Sequence, residues 1–193
     1  LGTIKETIFK GLLVPEEEKF EDFEAATYNL ENGQIAITKL DKSAILTEKN
    51  DKIRVTKKFT FPNLKEGSIV EYTYTIKSPF IYFREYMRGW NFQGKYPILW
   101  SEYQVTIPPM FNYAKLMKGI QQQFAIDSSK TIFKTYSVVE SNGVSSSDYY
   151  HFSGDAVWHL WAIKDVPAFK TEGFVSSYKN YLTRVQFQLI NIK

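Results

Sequence analysis

Residues Phe59–Ser78, FTFPNLKEGSIVEYTYTIKS, decide the fold class of this chain. In the second half, apolar or aromatic residues at 70, 72, 74 and 76 alternate with polar residues at 71, 73, 75 and 77. This period of two is typical of a half-buried β-strand. Pro62 and Gly67 supply the fixed and the permissive backbone angles of a turn before that strand. We therefore expect the side chains of Val70, Tyr72 and Tyr74 to face a core, so that truncating Tyr74 to alanine would cost about 3–5 kcal/mol.

Composition extends the β interpretation to the whole chain. The 193 residues include 15 Phe, 13 Tyr and 4 Trp, and aromatic side chains suit the pleated surface of a sheet. A hairpin is predicted from 25 to 40, because Asn32-Gly33 offers the two positive-φ positions of a tight primed turn. Strand patterns recur at intervals of about ten residues with turn residues between them. The sequence thus predicts an all-β, antiparallel β-sandwich with few short helical turns.

The helical candidates are Phe111–Ile120 and Ser176–Leu182, each long enough for one or two turns. No Pro/Gly/Ser-rich linker divides the chain, so we expect one domain over 1–193. Within it, 1–24 is interpreted as partial leading strands followed by a solvated acidic connection, and 171–193 as an exit segment.

Charge and residue content exclude several classes of protein. The net charge of +3 is dispersed rather than gathered in a basic stripe, so nucleic acid is not an expected partner. The absence of cysteine removes disulfides and thiolate nucleophiles. No apolar run approaches the ~18 residues of a membrane-spanning helix, so no membrane span is expected.

Histidine is the first place to look for catalysis, because a hydrolase needs a base beside its nucleophile. The two candidates, His151 and His159, lie among aromatic or apolar residues, as half-buried strand residues would. Ser153-Gly154-Asp155 favours a turn between them, which would separate their faces. Neither has nearby ligands to complete a zinc site. No catalytic residue, metal site or cofactor site is therefore predicted.

Paired carboxylates are the second possibility, since two of them could hydrolyse a glycoside. The pairs considered are Glu66 with Glu71 and Asp155 with Asp165. Glu66 lies in a turn and Glu71 on the polar face of a strand, and nothing in the sequence indicates the burial that raises a carboxyl pKa. We interpret both pairs as surface residues.

Aromatic residues crowd the segment between Phe80 and Trp100, interleaved with Arg84, Arg88 and Lys95. One alternating strand cannot bury all of these rings, and the cations need water or a partner. Part of the segment is therefore expected to be an exposed interaction surface that a neighbouring domain or a sugar could cover. Its predicted members are Tyr82, Phe83, Arg84, Tyr86, Arg88, Trp90 and Phe92.

Several phrases together resemble a known family. They are ATYNLENGQI, KKFTFPNLKEGSIVEYTYTIKSPF, GWNFQGKYPILWSEYQVTIP and WAIKDVPAFKTEGFVSSYKNYLTRVQFQL. In order and spacing, from about Ala25 onward, they resemble domain of unknown function 3857 (DUF3857). That family occurs mainly in Bacteroidetes proteins, upstream of a transglutaminase-like cysteine hydrolase domain.

The resemblance implies a sandwich-like accessory domain of an exported protein, in the periplasm or at the cell surface of a bacterium. It also implies that the catalytic Cys-His-Asp set belongs to a downstream domain of the same polypeptide, so that this chain is an N-terminal region. The segment before Ala25 is short for the family's leading strands.

Three functions remain open at this point. The first is a non-catalytic domain that positions the downstream hydrolase domain or presents a protein or glycan substrate to it. The second is a carbohydrate-binding module of a cell-surface nutrient-capture system. The third is an independent enzyme that uses His151 or His159.

Overall fold

The computed structural model describes residues 3–9, 18–49, 54–77, 87–119, 124–141, 147–170 and 181–192. Within these ranges the chain forms twelve β-strands and one short 3-10 helix (Lys42–Ala44). The strands are β1 (Thr3–Phe9), β2 (Lys19–Glu31), β3 (Gln34–Lys39), β4 (Leu46–Lys49), β5 (Arg54–Thr60), β6 (Ile69–Lys77), β7 (Trp90–Asn91), β8 (Ile98–Ile107), β9 (Phe111–Lys118), β10 (Ile126–Ser141), β11 (Ser147–Val166) and β12 (Arg184–Ile192). All described pairings are antiparallel. The all-β, antiparallel prediction is confirmed.

Two compact units make up the chain, Leu1–Phe83 and Arg84–Lys193. The first contains the sheets β1-β5-β4 and β3-β2-β6, and the second contains β10-β11-β8 and β7-β12-β9. Within the described ranges, each unit therefore has two three-stranded sheets and a core of its own. The sequence pointed to one domain without a linker, and that domain count stays a prediction.

The core of the first unit consists of rings contributed by its two sheets. Phe23 of β2 meets Phe59 of β5 edge to face, with 4.6 Å between ring centroids. Phe61 and Ala25 complete the buried cluster. Edge-to-face contacts between aromatic rings add to the free energy gained by burying their area.

A β-bulge at Asp22 allows two phenylalanines three residues apart to reach that cluster. Asp22 has a φ of +52°, a conformation that aspartate tolerates better than most residues, and the register of β2 against β6 shifts between Glu21 and Glu24. The extra residue shifts by one position the alternation of side chains between the two faces of β2. Phe20 and Phe23 therefore both face inward. The prediction of a solvated acidic connection up to residue 24 is wrong, because residues 19–24 are the first part of β2.

The hairpin formed by β2 and β3 agrees with the sequence prediction. Glu31 pairs with Gln34 at its end, and the intervening Asn32 and Gly33 have φ values of +51° and +77°. These are the positive angles of a primed turn.

The turn between β5 and β6 has a different role from that of a hairpin. β5 pairs with β1 and β4, whereas β6 pairs with β2. The chain therefore crosses from one sheet to the other between Phe61 and Ser68. The buried Asn29 amide holds this crossover: its Nδ2 donates to the Asn63 carbonyl oxygen (2.9 Å), and Ser68 Oγ donates to its Oδ1 (2.5 Å).

Strand β6 has the predicted register but is less buried than expected. Tyr72 contacts Phe59 and Phe61, and Tyr74 stacks on Phe20, so both rings lie on the core side. They nevertheless stay 39% and 38% exposed. The predicted core-facing side is confirmed, and the rings are only partly buried because, among the described strands, β6 pairs with β2 alone at the edge of a three-stranded sheet.

The core of the second unit surrounds Trp161 of β11, which packs with Phe92 and Val185. Phe187 of β12 contacts Trp161 at 6.4 Å between centroids, so the two sheets of this unit face each other. Tyr103 and Val105, at alternate positions of β8, pack against the same cluster.

Three sequence predictions in the second unit are corrected. Residues 111–118 are strand β9 rather than a helical turn, because they pair with β12 along their whole length. Residues 184–192 of the predicted exit segment are a core strand, because β12 is the central strand of its sheet and carries the buried Val185. β11 runs without interruption through Ser153-Gly154-Asp155, where a turn was expected. The other helical candidate, 176–182, lies mostly outside the described residues.

Candidate interaction surfaces

The predicted aromatic surface divides into a buried and an exposed part. Phe92 is wholly buried in the core of the second unit, so its assignment to a surface is wrong. Trp90 and Arg88 have exposed side chains. The other four predicted members, Tyr82, Phe83, Arg84 and Tyr86, lie outside the described residues.

Trp90 is exposed and also held in position. Its ring is 42% exposed and stacks on Tyr103 at 6.0 Å with 13° between the planes. Its Nε1 donates a hydrogen bond to the buried Ser101 Oγ at 3.0 Å. A ring fixed in this way loses little conformational entropy when a partner covers it.

The stack continues from Trp90 into the interior. Tyr103 lies 6.3 Å from Trp161 with 11° between the planes, and Trp161 lies 5.0 Å from His159 with 10°. The Tyr103 hydroxyl donates to the Arg88 carbonyl oxygen at 2.6 Å, and burial raises the pKa of Tyr103 to about 12. A neutral phenol therefore supports Trp90 from below.

Three residues that follow Trp90 in the sequence also have exposed aromatic or aliphatic side chains. Tyr96 and Leu99 are mostly exposed, and Trp100 is about half exposed. Trp100 Nε1 donates to Glu102 Oε2 at 3.0 Å, and the Lys95 ammonium lies 5.5 Å from the Tyr96 ring centroid. The segment from 90 to 100 thus has apolar surface beside polar groups.

A second apolar surface, which sequence reasoning missed, lies in the first unit on the outer face of sheet β3-β2-β6. Leu30, Ile35, Ile37 and Ile69 are 57–77% exposed. The inner side of β2 at the same level carries the buried polar residues Thr27 and Asn29. A sheet with one solvated face usually has apolar residues on its inner face and polar residues on its outer face. In this part of the sheet the arrangement is reversed. Alternation along β2 and β3 could have revealed this surface. The polar positions 27 and 29 lie on one face of the sheet, and the apolar positions 35 and 37 lie on the other.

Cross-strand pairing places these side chains in adjacent rows, which we call the outer apolar face. Leu30 pairs with Ile35, and Tyr28 lies between Ile37 and Ile69. The Tyr28 hydroxyl donates to Glu71 Oε2 at 2.8 Å, and this bond raises the pKa of Tyr28.

A shallow groove of about 440 Å³ continues from the outer apolar face. It lies where β3 ends, around Ala26. Its polar walls carry two carboxylates, two ammonium groups and two hydroxyls, from Glu24, Glu71, Lys39, Lys42, Tyr28 and Thr73. The volume falls within the range of small-molecule sites, but charges of both signs line it in equal number.

Comparison with known proteins gives one match. The model of the family described as a domain of unknown function with a solved structure, DUF3857, matches residues 15–170. The chain belongs to the DUF3857 family. No curated protein and no solved structure matches it significantly.

The match to DUF3857 stops short of two strands that the fold uses. β1 precedes the matched residues and pairs with β5, and β12 follows them. Because Val185 of β12 is fully buried between the sheets of the second unit, the structural boundary of this DUF3857 chain extends past residue 170.

The histidines of this DUF3857 chain are far apart. Both lie on the uninterrupted strand β11, so their separation of eight residues corresponds to roughly 26 Å. His151 bonds Ser137 Oγ through Nδ1 at 3.0 Å. His159 is buried against Trp161, and this burial, together with the nearby Lys115 ammonium, lowers its pKa. The two rings cannot form one site, and each has a structural contact.

The carboxylate pairs do not form a glycosidase site in this DUF3857 chain. Asp155 and Asp165 lie ten residues apart on β11, roughly 33 Å, whereas glycosidases need about 5–9.5 Å. Glu66 and Glu71 are both exposed. Among the described residues no cluster of three or more histidine or acidic side chains could hold a metal ion. None of the helices in those same ranges is long and apolar enough to span a membrane.

Proposed function

We propose that this DUF3857 chain is a non-catalytic interaction domain of an exported bacterial protein. In this proposal it positions a transglutaminase-like cysteine hydrolase domain of the same polypeptide, or presents substrate to it, in the periplasm or at the cell surface. Family membership and the β-only architecture support a scaffold role. The chain has no cysteine, so a thiol nucleophile would have to come from another domain.

The observation that carries the proposal is the state of Trp90. Exposed tryptophans that are already rigid are frequent anchors of protein interfaces, because their area is large and their ordering cost is small. Trp90 meets both conditions through its stack on Tyr103 and its bond to Ser101. Leu99, which alternation places on the same face of β8 as Ser101 and Tyr103, is also mostly exposed and adds apolar surface on that side of the strand.

The first test is to read the gene beyond Lys193. A hydrolase domain with a cysteine nucleophile agrees with the proposal, and a stop codon directly after Lys193 contradicts it.

The second test measures docking with that domain produced as a separate polypeptide. Trp90→Ala is expected to weaken binding about tenfold or more, as removal of an interface anchor does. Phe133→Ala is the matched control, because Phe133 is a largely exposed aromatic on β10 of the same unit. Hydrogen exchange over residues 82–92 should slow when the partner domain is present. Equal losses of affinity in both variants, or unchanged exchange, would refute the docking surface.

Glycan binding is the second candidate, and Trp100 is the observation that favours it. Its ring is half exposed and its Nε1 is fixed by a carboxylate, an arrangement that could stack on a sugar and bond its hydroxyls. Binding of soluble glycans that is lost in Trp100→Ala and kept in Phe133→Ala would support this candidate over domain docking.

A further inference from the structure

We propose that the outer apolar face of sheet β3-β2-β6 binds the same face of a second copy of this chain, about a two-fold axis parallel to β2. This inference concerns the first unit and is independent of the surface around Trp90.

The first argument is the inverted polarity of the sheet. Thr27 and Asn29 are buried on its inner side, whereas Leu30, Ile37 and Ile69 are more than half exposed on its outer side. The largest apolar patch on a monomeric protein, about 300–600 Å², is often a functional contact site. The open face of a three-stranded sheet can pack against another sheet, at about 10 Å between layers.

Area is the second argument, and it fits a dimer. At roughly 150 Å² for a fully exposed leucine or isoleucine side chain, the four apolar residues present on the order of 400 Å². Two copies would bury about twice that from these residues alone. Tyr28 and the charged row beside it would bring the total close to the ~1,200 Å² at which specific interfaces begin.

Charge placement selects a second copy over another partner. The next row of paired residues consists of Lys39 on β3, Ala26 on β2 and Glu71 on β6. This row therefore has a cation at the β3 edge of the sheet and an anion at the β6 edge. A two-fold axis along β2 exchanges the two edges, so Lys39 of one copy would face Glu71 of the second copy, and Ile37 would face its Ile69. The face is thus complementary to itself, as an isologous interface requires.

Sedimentation of the 193-residue chain, from dilute solution to the highest soluble concentration, tests the proposal. The unmodified chain should dimerise reversibly, and Ile37→Glu should be monomeric. Ile190→Glu is the control, because Ile190 is an isoleucine of similar exposure on β12 of the second unit and its replacement should leave the dimer intact. A chain that stays monomeric throughout, or a dimer that survives Ile37→Glu, overturns the proposal.

A charge swap tests the axis and does not depend on folding of the isoleucine variant. Lys39→Glu or Glu71→Lys alone should raise the dimer dissociation constant about tenfold, because like charges would then face each other. The double variant should restore the original constant. If it remains as weak as the single variants while its circular dichroism is unchanged, the two-fold arrangement is wrong.

Discussion

Asn29→Ala should destabilise the first unit by about 2–3 kcal/mol. Asn29 is buried at 6% exposure, and its amide makes two hydrogen bonds to the crossover between the sheets. Each bond contributes about 1 kcal/mol net, and the Ser68 hydroxyl, which is half-buried, would lose an acceptor at a further cost of about 1 kcal/mol. The exposed Asn63 carbonyl can bond water instead, so it adds little.

Hydrogen exchange can locate this effect in the first unit. Amides of β2 and β3 should exchange roughly 30- to 150-fold faster in Asn29→Ala, the factor that corresponds to 2–3 kcal/mol when exchange follows opening of the unit. All four tryptophans lie after residue 84, so their fluorescence during urea denaturation follows the second unit separately.

Asn112→Ala is the matched control, because Asn112 is exposed on β9 of the second unit. A change below about 0.5 kcal/mol in Asn29→Ala, the size of an ordinary surface substitution, would refute the view that this amide holds the crossover. So would equal effects in the two variants.

Three further predictions follow from burial and backbone geometry. Tyr74→Ala should lower the free energy of unfolding by about 1–3 kcal/mol rather than the 3–5 kcal/mol of a fully buried ring, because Tyr74 stacks on Phe20 but stays 38% exposed. Urea denaturation followed by circular dichroism measures this change. Because burial lowers the pKa of His159, the unfolded state binds the proton more readily, so the free energy of unfolding should decline as pH falls below about 6.5. That pH dependence should be weaker in His159→Gln, and an unchanged profile would contradict it. Gly119→Ala should be strongly destabilising, because φ is +62° and a Cβ would lie 2.3 Å from the Leu182 carbonyl oxygen; a thermal midpoint equal to that of the parent would contradict this.

Local sequence patterns were reliable wherever short-range chemistry decides the structure. The Asn32-Gly33 turn and the alternating strand at 70–77 follow from residue preference and alternation, because a strand fixes which side chains share a face. The same alternation placed Tyr72 and Tyr74 on the correct side of β6. It could not give their burial, since that depends on which strands lie beside β6.

The candidate surfaces show the same division. Aromatic density pointed correctly to an exposed Trp90, but Phe92, two residues later, fills the core. The outer apolar face was not predicted, because an exposed isoleucine and a buried one look alike in a strand pattern until the second sheet is placed.

The sequence by itself determined the β class, the Asn32-Gly33 hairpin turn and the family. Only the tertiary structure decided that β5 and β6 belong to different sheets, that an acidic segment carries two core phenylalanines, and that β11 continues through Gly154. The physical reason is that φ/ψ preference and side-chain parity act over a few residues, whereas strand partners and the covered face are set by contacts between residues far apart in the chain. The bulge at Asp22 depends on both local and long-range effects. One residue in a left-handed conformation shifts the alternation of side chains along β2, and the packing of Phe23 against Phe59 makes that shift favourable.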